Sequence, residues 1–138
     1  HKAAVDRACD NAKALGAKRA VALAVSVPSH SSLMKPAADA FAATLAATEI
    51  NAPRLPVIHN ADVAAHTTAD AIRDALIRQI YSPVRWVETV HCLGKQGVTR
   101  IVEAGPGKVL TGLNKRIDKN IASVAAFDSA SLAEALTG

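Results

Sequence analysis

The stretch RIVEAGPGKVLTGLNKRIDKNIASVAAF, residues Arg100–Phe127, decides the fold class. Arg100–Ala104 is a short, largely apolar run, Gly105-Pro106-Gly107 breaks it, and Leu110, Leu113 and Ile117 then recur at the spacing of one helix face. Ile121–Phe127 is apolar again and predicts a second strand. Working outward, a last helix runs through Leu136, and upstream Ser82-Pro83 opens a helix through Trp86, Val90 and Leu93 to Gly94 or Gly97. Thr67-Thr68-Ala69-Asp70 resembles a capping box for a helix to about Tyr81, and Val57–Asn60 is a short strand candidate. Leu33–Thr48 carries an apolar stripe with Pro36 in its first turn, Arg19–Val27 is an apolar run suited to a buried strand, and His1–Leu15 is a helix stopped by Gly16. Strands alternating with helices imply a parallel sheet covered by helices, so the class is α/β.

Composition narrows the function classes. The chain has 138 residues, 50% of them hydrophobic, enough for the core of one ordinary domain. It starts at His1 without an initiating methionine and without a capping residue, and reads as cut from something longer. The net charge of +4 comes with only 3% aromatic residues and with scattered basic side chains, which argues against a nucleic-acid partner. A modestly basic surface suits an acidic protein or a phosphate-bearing small molecule, since the same field draws both. Cys9 and Cys92 form no CxxC spacing, and no apolar run approaches the roughly 20 residues of a membrane span. These features predict a soluble, reduced, cytoplasmic protein.

Catalytic groups in such sheets gather in loops after strands. His30 occupies such a place, in Val27-Pro28-Ser29-His30-Ser31. On the residues alone, the blander reading is favoured, with Ser29, Ser31 or Ser32 capping the next helix and His30 a polar loop residue. Gly105-Pro106-Gly107-Lys108 could face an anion at a helix start, but it lacks the GxxxxGK[ST] spacing, and a tight turn needing positive φ is the better use of its glycines. His1, His30, His59, His66 and His91 contain no i, i+4 pair and no cysteine support, so no metal site is expected. His91 and Cys92 point apart on a helix, which leaves Cys92 as a small core residue. Lys115 and Arg116 fall at a helix carboxyl end, where cations favour the dipole.

Four longer runs then carry a family resemblance. AVSVPSHSSLMKPAAD (24–39), NAPRLPVIHNADV (51–63), AIRDALIRQIYSPVRWVETV (71–90) and IVEAGPGKVLTGLNKRI (101–117) resemble, in matching order, the second half of the discrete bacterial malonyl-CoA:acyl carrier protein transacylases. The resemblance implies an α/β-hydrolase-like large subdomain carrying an inserted ferredoxin-like small subdomain. Residues 1–26 would be the carboxyl-terminal remnant of the insert, and residues 27–138 the return into the large subdomain.

The family's reaction implies roles for particular residues. His30 matches the histidine of the PSH run, the general base that takes a proton from the serine of a GHSxG nucleophile elbow. The backbone carbonyl of Gln79 would receive the histidine's other N–H, where a usual triad has an aspartate. Val109 would line the channel for the pantetheine arm, and Lys115 and Arg116 would meet the acyl carrier protein. The resemblance implies malonyl-CoA as substrate, acyl carrier protein as partner, a role in fatty acid biosynthesis, and no cofactor or metal. GHSxG does not occur in the chain, nor do the family's oxyanion-hole glutamine and the arginine that pairs with the malonyl carboxylate. The chain alone is therefore expected to be inactive without the amino-terminal part. The alternatives are a non-catalytic fragment that binds the carrier protein, and an acyltransferase domain of a polyketide or fatty acid synthase.

Overall fold

The computed structural model describes residues 1–137. In chain order the elements are α1 (Lys2–Ala14), a 3-10 turn (Ser32–Met34), α2 (Lys35–Ala46), β1 (Ile58–His59), β2 (Ala64–Ala65), α3 (Ala69–Tyr81), α4 (Trp86–Lys95), β3 (Arg100–Ala104), α5 (Val109–Ile117), β4 (Ala122–Ala126) and α6 (Ser129–Thr137). The α/β class follows from the parallel pair β3 and β4, registered from Arg100 opposite Ala122 to Ala104 opposite Ala126, with α5 as the connection. A second, antiparallel pair joins β1 and β2 through Ile58–Ala65 and His59–Ala64. None of the described helices is long and apolar enough to cross a membrane.

Packing falls into two clusters. α2 and α3 lie against each other through buried Ala38, Leu45, Ile72 and Ala75, where small side chains allow close helix approach. Arg73 of α3 donates to the carbonyls of Leu45 (3.0 Å) and Thr48 (2.9 Å), so it satisfies acceptors that α2 leaves open at its carboxyl end. In the other cluster α4, α5 and α6 pack on or beside the β3–β4 pair. Its centre is polar: Asn114, fully buried, accepts from Trp86 Nε1 (2.9 Å) and donates to Ser123 Oγ (2.9 Å), joining α4, α5 and β4.

Helix ends explain several boundaries. The Thr68 side chain accepts from Ala71 N and begins α3, as a cap should. Gly97, at φ +83°, closes α4 by presenting its own N–H to Gly94 O while Val98 N reaches Leu93 O. Pro36 stands in the first turn of α2, where its missing N–H costs nothing.

The structure corrects the sequence reading in four places. Arg19–Val27 forms no strand; Val21, Leu23, Val25 and Val27 are exposed, Leu23 by 80%. A strand needs a neighbour to receive its ladder hydrogen bonds, and among the described residues none runs beside this segment. Pro83 does not open α4, which starts at Trp86 after Arg85. Neither Gly105 nor Gly107 has positive φ, so their turn does not require glycine on that ground. Finally, Ser29, Ser31 and Ser32 make no side-chain cap: Ser31 Oγ donates instead to Pro28 O at 2.7 Å.

Candidate active site

His30 is held at φ +60°, the left-handed region that non-glycine residues enter at a cost. Three contacts with the end of α3 keep it there. Its backbone N–H donates to Ile80 O (3.1 Å), and its ring Nδ1 lies 2.9 Å from Gln79 O and 3.2 Å from Ser82 O. Carbonyl oxygens only accept, so Nδ1 carries the hydrogen. In the neutral ring Nε2 is then left with a free lone pair, the form a general base needs. The helix supplies these acceptors for a simple reason: the last carbonyls of any helix have no partner within it. The sequence PSHSS passes the carboxyl end of α3 and uses them.

Other contacts fix the two sides of this junction. After His30 the chain enters the 3-10 turn, which packs on both α2 and α3. Lys35 Nζ, at the start of α2, sits 5.1 Å from the centre of the Tyr81 ring at the end of α3. A groove of about 690 Å³ between α1 and residues 22–28 reaches Pro28 and Leu33 on either side of the histidine loop.

The β1–β2 hairpin adds a charged cluster that the sequence did not reveal. Asp62 Oδ2 accepts from Arg78 Nη2 (2.6 Å) and from His66 Nε2 (2.9 Å), while Arg78 Nε also reaches Asp74 (2.6 Å). Burial alone would raise the Asp62 pKa, but the hydrogen bonds from Arg78 and His66 outweigh it and bring it to about 2. His59, buried and 5.2 Å from the His66 ring, has its pKa lowered, first by burial and then by the neighbouring His66. Val63, next to Asp62, adopts φ +58°, a backbone strain of roughly 1–3 kcal/mol for a β-branched residue. Asp74 and Arg78 are an i, i+4 pair on α3 and Asp62 and His66 are four apart in the hairpin, but the bond that joins the two elements, Asp62 to Arg78, spans 16 residues and no local motif announces it.

The glycine turn has a different occupant from a phosphate. Glu103 Oε1 accepts from Leu110 N (3.1 Å), and its Oε2 accepts from Thr111 N (2.7 Å) and Thr111 Oγ1 (2.8 Å). The first turn of α5 is thus filled by the chain's own carboxylate, which removes the anion-site reading of Gly105–Lys108. Val109, Lys115 and Arg116 are exposed on α5, whose main contacts are β3, β4 and α4. None of them bonds to His30; among the described residues expected at the site, the structure brings together His30 and Gln79. Cys92 is half-buried in α4 and takes a hydrogen bond from Gln96 (3.3 Å), while His91 beside it is exposed. Among the described residues no group of three or more His, Cys, Asp or Glu side chains could hold a metal ion.

With this geometry in view, the relatives can be named. The malonyl CoA-acyl carrier protein transacylase of Escherichia coli K12 is 54% identical over 136 residues, 99% of this chain and 44% of the relative. This chain is a homologue of part of such a transacylase. Among solved structures, a malonyl-transacylase in complex with a type II polyketide synthase acyl-carrier protein superposes with a TM-score of 0.92 at 56% identity, over 98% of this chain and 44% of that one. An acyl carrier protein S-malonyltransferase from Vibrio cholerae superposes at 0.89 with 59% identity, over 97% of this chain and 44% of that one. The chain therefore spans less than half the length of the transacylases it matches. No family model matches it.

Proposed function

We propose that this chain supplies the general base of a malonyl-CoA:acyl carrier protein transacylase, working on a serine carried by residues outside the 138. The observation that carries the reading is the Nδ1 of His30 facing two backbone carbonyls, because it leaves Nε2 as the basic nitrogen. Nε2 would take the proton of the serine hydroxyl as its oxygen attacks the malonyl thioester. The protonated ring would then give that proton to the departing CoA sulfur. In the second half-reaction the pantetheine thiol of the carrier protein loses its proton to Nε2, its sulfur attacks the malonyl-serine ester, and the serine oxygen recovers the proton. The charge balances at each half, and no cofactor enters.

The carbonyl of Gln79 orients the ring as a triad carboxylate would, with less stabilisation of the imidazolium. In the same reading Val109 lines the pantetheine channel, while Lys115 and Arg116 guide the acidic carrier protein and act mainly on encounter rate. Residues 1–26 belong to a ferredoxin-like insert and the remainder to an α/β-hydrolase-like subdomain; the helix-flanked parallel pair β3–β4 is consistent with that larger scaffold.

The test is malonyl transfer from malonyl-CoA to holo carrier protein, with carriers from fatty acid and polyketide synthesis assayed side by side. A polypeptide that joins this chain to a GHSxG serine should turn over and lose about 10²–10⁴-fold of its rate on His30→Ala. Gln79→Ala, which keeps the carbonyl, should stay within a few-fold of the parent. The 138-residue chain alone should not transfer malonyl groups; turnover by it, or full activity in His30→Ala, would refute the reading.

A further inference from the structure

We propose that Asp62 is a positioning residue for His30, acting through Arg78 and the β1–β2 hairpin. This inference rests on the reading of His30 as the general base, and it concerns what holds that base in place.

The three acceptors of His30 are the carbonyls of Gln79, Ile80 and Ser82, all within one short run of chain. The hairpin grips that run at both ends. On the near side Asp62 Oδ2 takes a hydrogen bond from Arg78 Nη2 at 2.6 Å, and Arg78 is the residue immediately before Gln79. On the far side Arg85 N donates to Asn60 O at 2.9 Å, three residues beyond Ser82. The acceptors therefore hang between two anchors, both supplied by residues 60 and 62 of one turn.

The end of α3 needs such anchoring. Helix termini fray, and here Ser82 already leaves the helix with φ −104° and ψ 149°. A carbonyl that rotates by a few tens of degrees no longer meets Nδ1–H, and the ring is then free to take the other tautomer, in which Nε2 holds the hydrogen and cannot act as base. Arg78 resists this through its Nη2 arm, which ties the end of α3 to Asp62 on the hairpin, whereas its Nε contact with Asp74 stays within α3 and adds no tie to the hairpin. Asp62 stays ionised well below neutral pH, so the clamp is charged under all working conditions. The strained Val63 beside it shows that the hairpin holds an unfavourable backbone to keep this turn.

The test reads the tautomer directly in the chain as it exists, without turnover. Long-range ¹H–¹⁵N spectra at a pH where the imidazoles are neutral distinguish Nδ1–H from Nε2–H for each of the five histidines. The parent should show His30 predominantly as Nδ1–H; a parent in the Nε2–H form would refute the site geometry itself, separately from this inference. Asp62→Ala should lower the Nδ1–H fraction of His30 at least two-fold, and Arg78→Lys, which keeps the charge but loses the fork, should move it the same way. Asp74→Asn leaves the Arg78–Asp62 bond in place and should leave His30 close to the parent. If folded Asp62→Ala and Arg78→Lys retain the parent tautomer, or if Asp74→Asn disturbs it equally, the hairpin does not position the base and the proposal is wrong. Should Asp62→Ala fail to fold, Arg78→Lys decides alone.

Discussion

Asp62 and His59 give the hairpin two separate responses to acid. The Asp62 pKa lies at about 2 against an ordinary 3.8, so its ionised form stabilises the fold by an amount on the order of 2 kcal/mol. That contribution is complete above the unfolded value and is lost as pH falls towards 2. His59 has the opposite chemistry but the same sign: its lowered pKa means the folded chain prefers the neutral ring, so its contribution is complete above 6.5 and declines as pH falls below it. Urea midpoints measured from pH 8 to pH 2 should therefore fall in two stages, one beginning near 6.5 and one below about 4. Asp62→Asn should flatten the lower stage and His59→Gln the upper; a single unaltered stage in both variants would contradict these assignments. Sequence spacing could not show this pair, because His59 and His66 meet across a turn and Arg78 arrives from a helix 16 residues on.

Elements were legible where their signal is local. The run from Arg100 to Phe127 resolved into β3, α5 and β4, with both strands within one residue of their expected ends and α5 carrying the expected Leu110, Leu113 and Ile117, because apolar alternation and helical spacing are written in consecutive residues. The start of α3 was legible for the same reason, one residue off: a box over Thr67–Asp70 would cap at Thr67, whereas Thr68 is the cap and Asp70 pairs with Arg73. Arg19–Val27 was not, since composition reports only that a segment could pair and says nothing of whether a partner is there. The glycine turn failed on a different count: Glu103 reaches the first turn of α5 from a strand seven and eight residues earlier, and a carboxylate in that position is invisible to a motif search. At this scale Asn114 is the residue to change. Asn114→Ala removes both its bonds and leaves Trp86 Nε1 and Ser123 Oγ without them, so stability should fall by about 3 kcal/mol. Trp86 fluorescence followed through urea unfolding reads the loss; an unchanged midpoint would mean that the polar centre contributes nothing.

Across the whole molecule, apolar surface is badly matched to the core. Leu15, Leu23, Val25, Leu33, Val109 and Leu136 are all more than half exposed, while the fully buried apolar residues are mostly alanine and valine. Segment 21–27 joins backbone groups without ladder partners to a row of aliphatic side chains, the combination that invites another chain to pair. Sedimentation of the isolated chain should show association that grows with concentration and weakens in Leu23→Lys and Val25→Lys; a monomer at all concentrations would show that the segment is protected.

The candidate site was legible at His30 only through the longer resemblance, because a lone histidine after an apolar run is a weak signal. What the residues could not express was how α2 and α3 close on each other. The loop leading into α2 occupies the carboxyl end of α3, and Arg73 near the amino end of α3 occupies the carboxyl end of α2. Each helix thus finishes the other. Neither can open by fraying from its own tip without first releasing its companion, so amide hydrogens of the two should exchange with solvent as one cooperative block. The proton-carrying ring of His30 is fastened to the seam of that block, so opening of the block releases it as well.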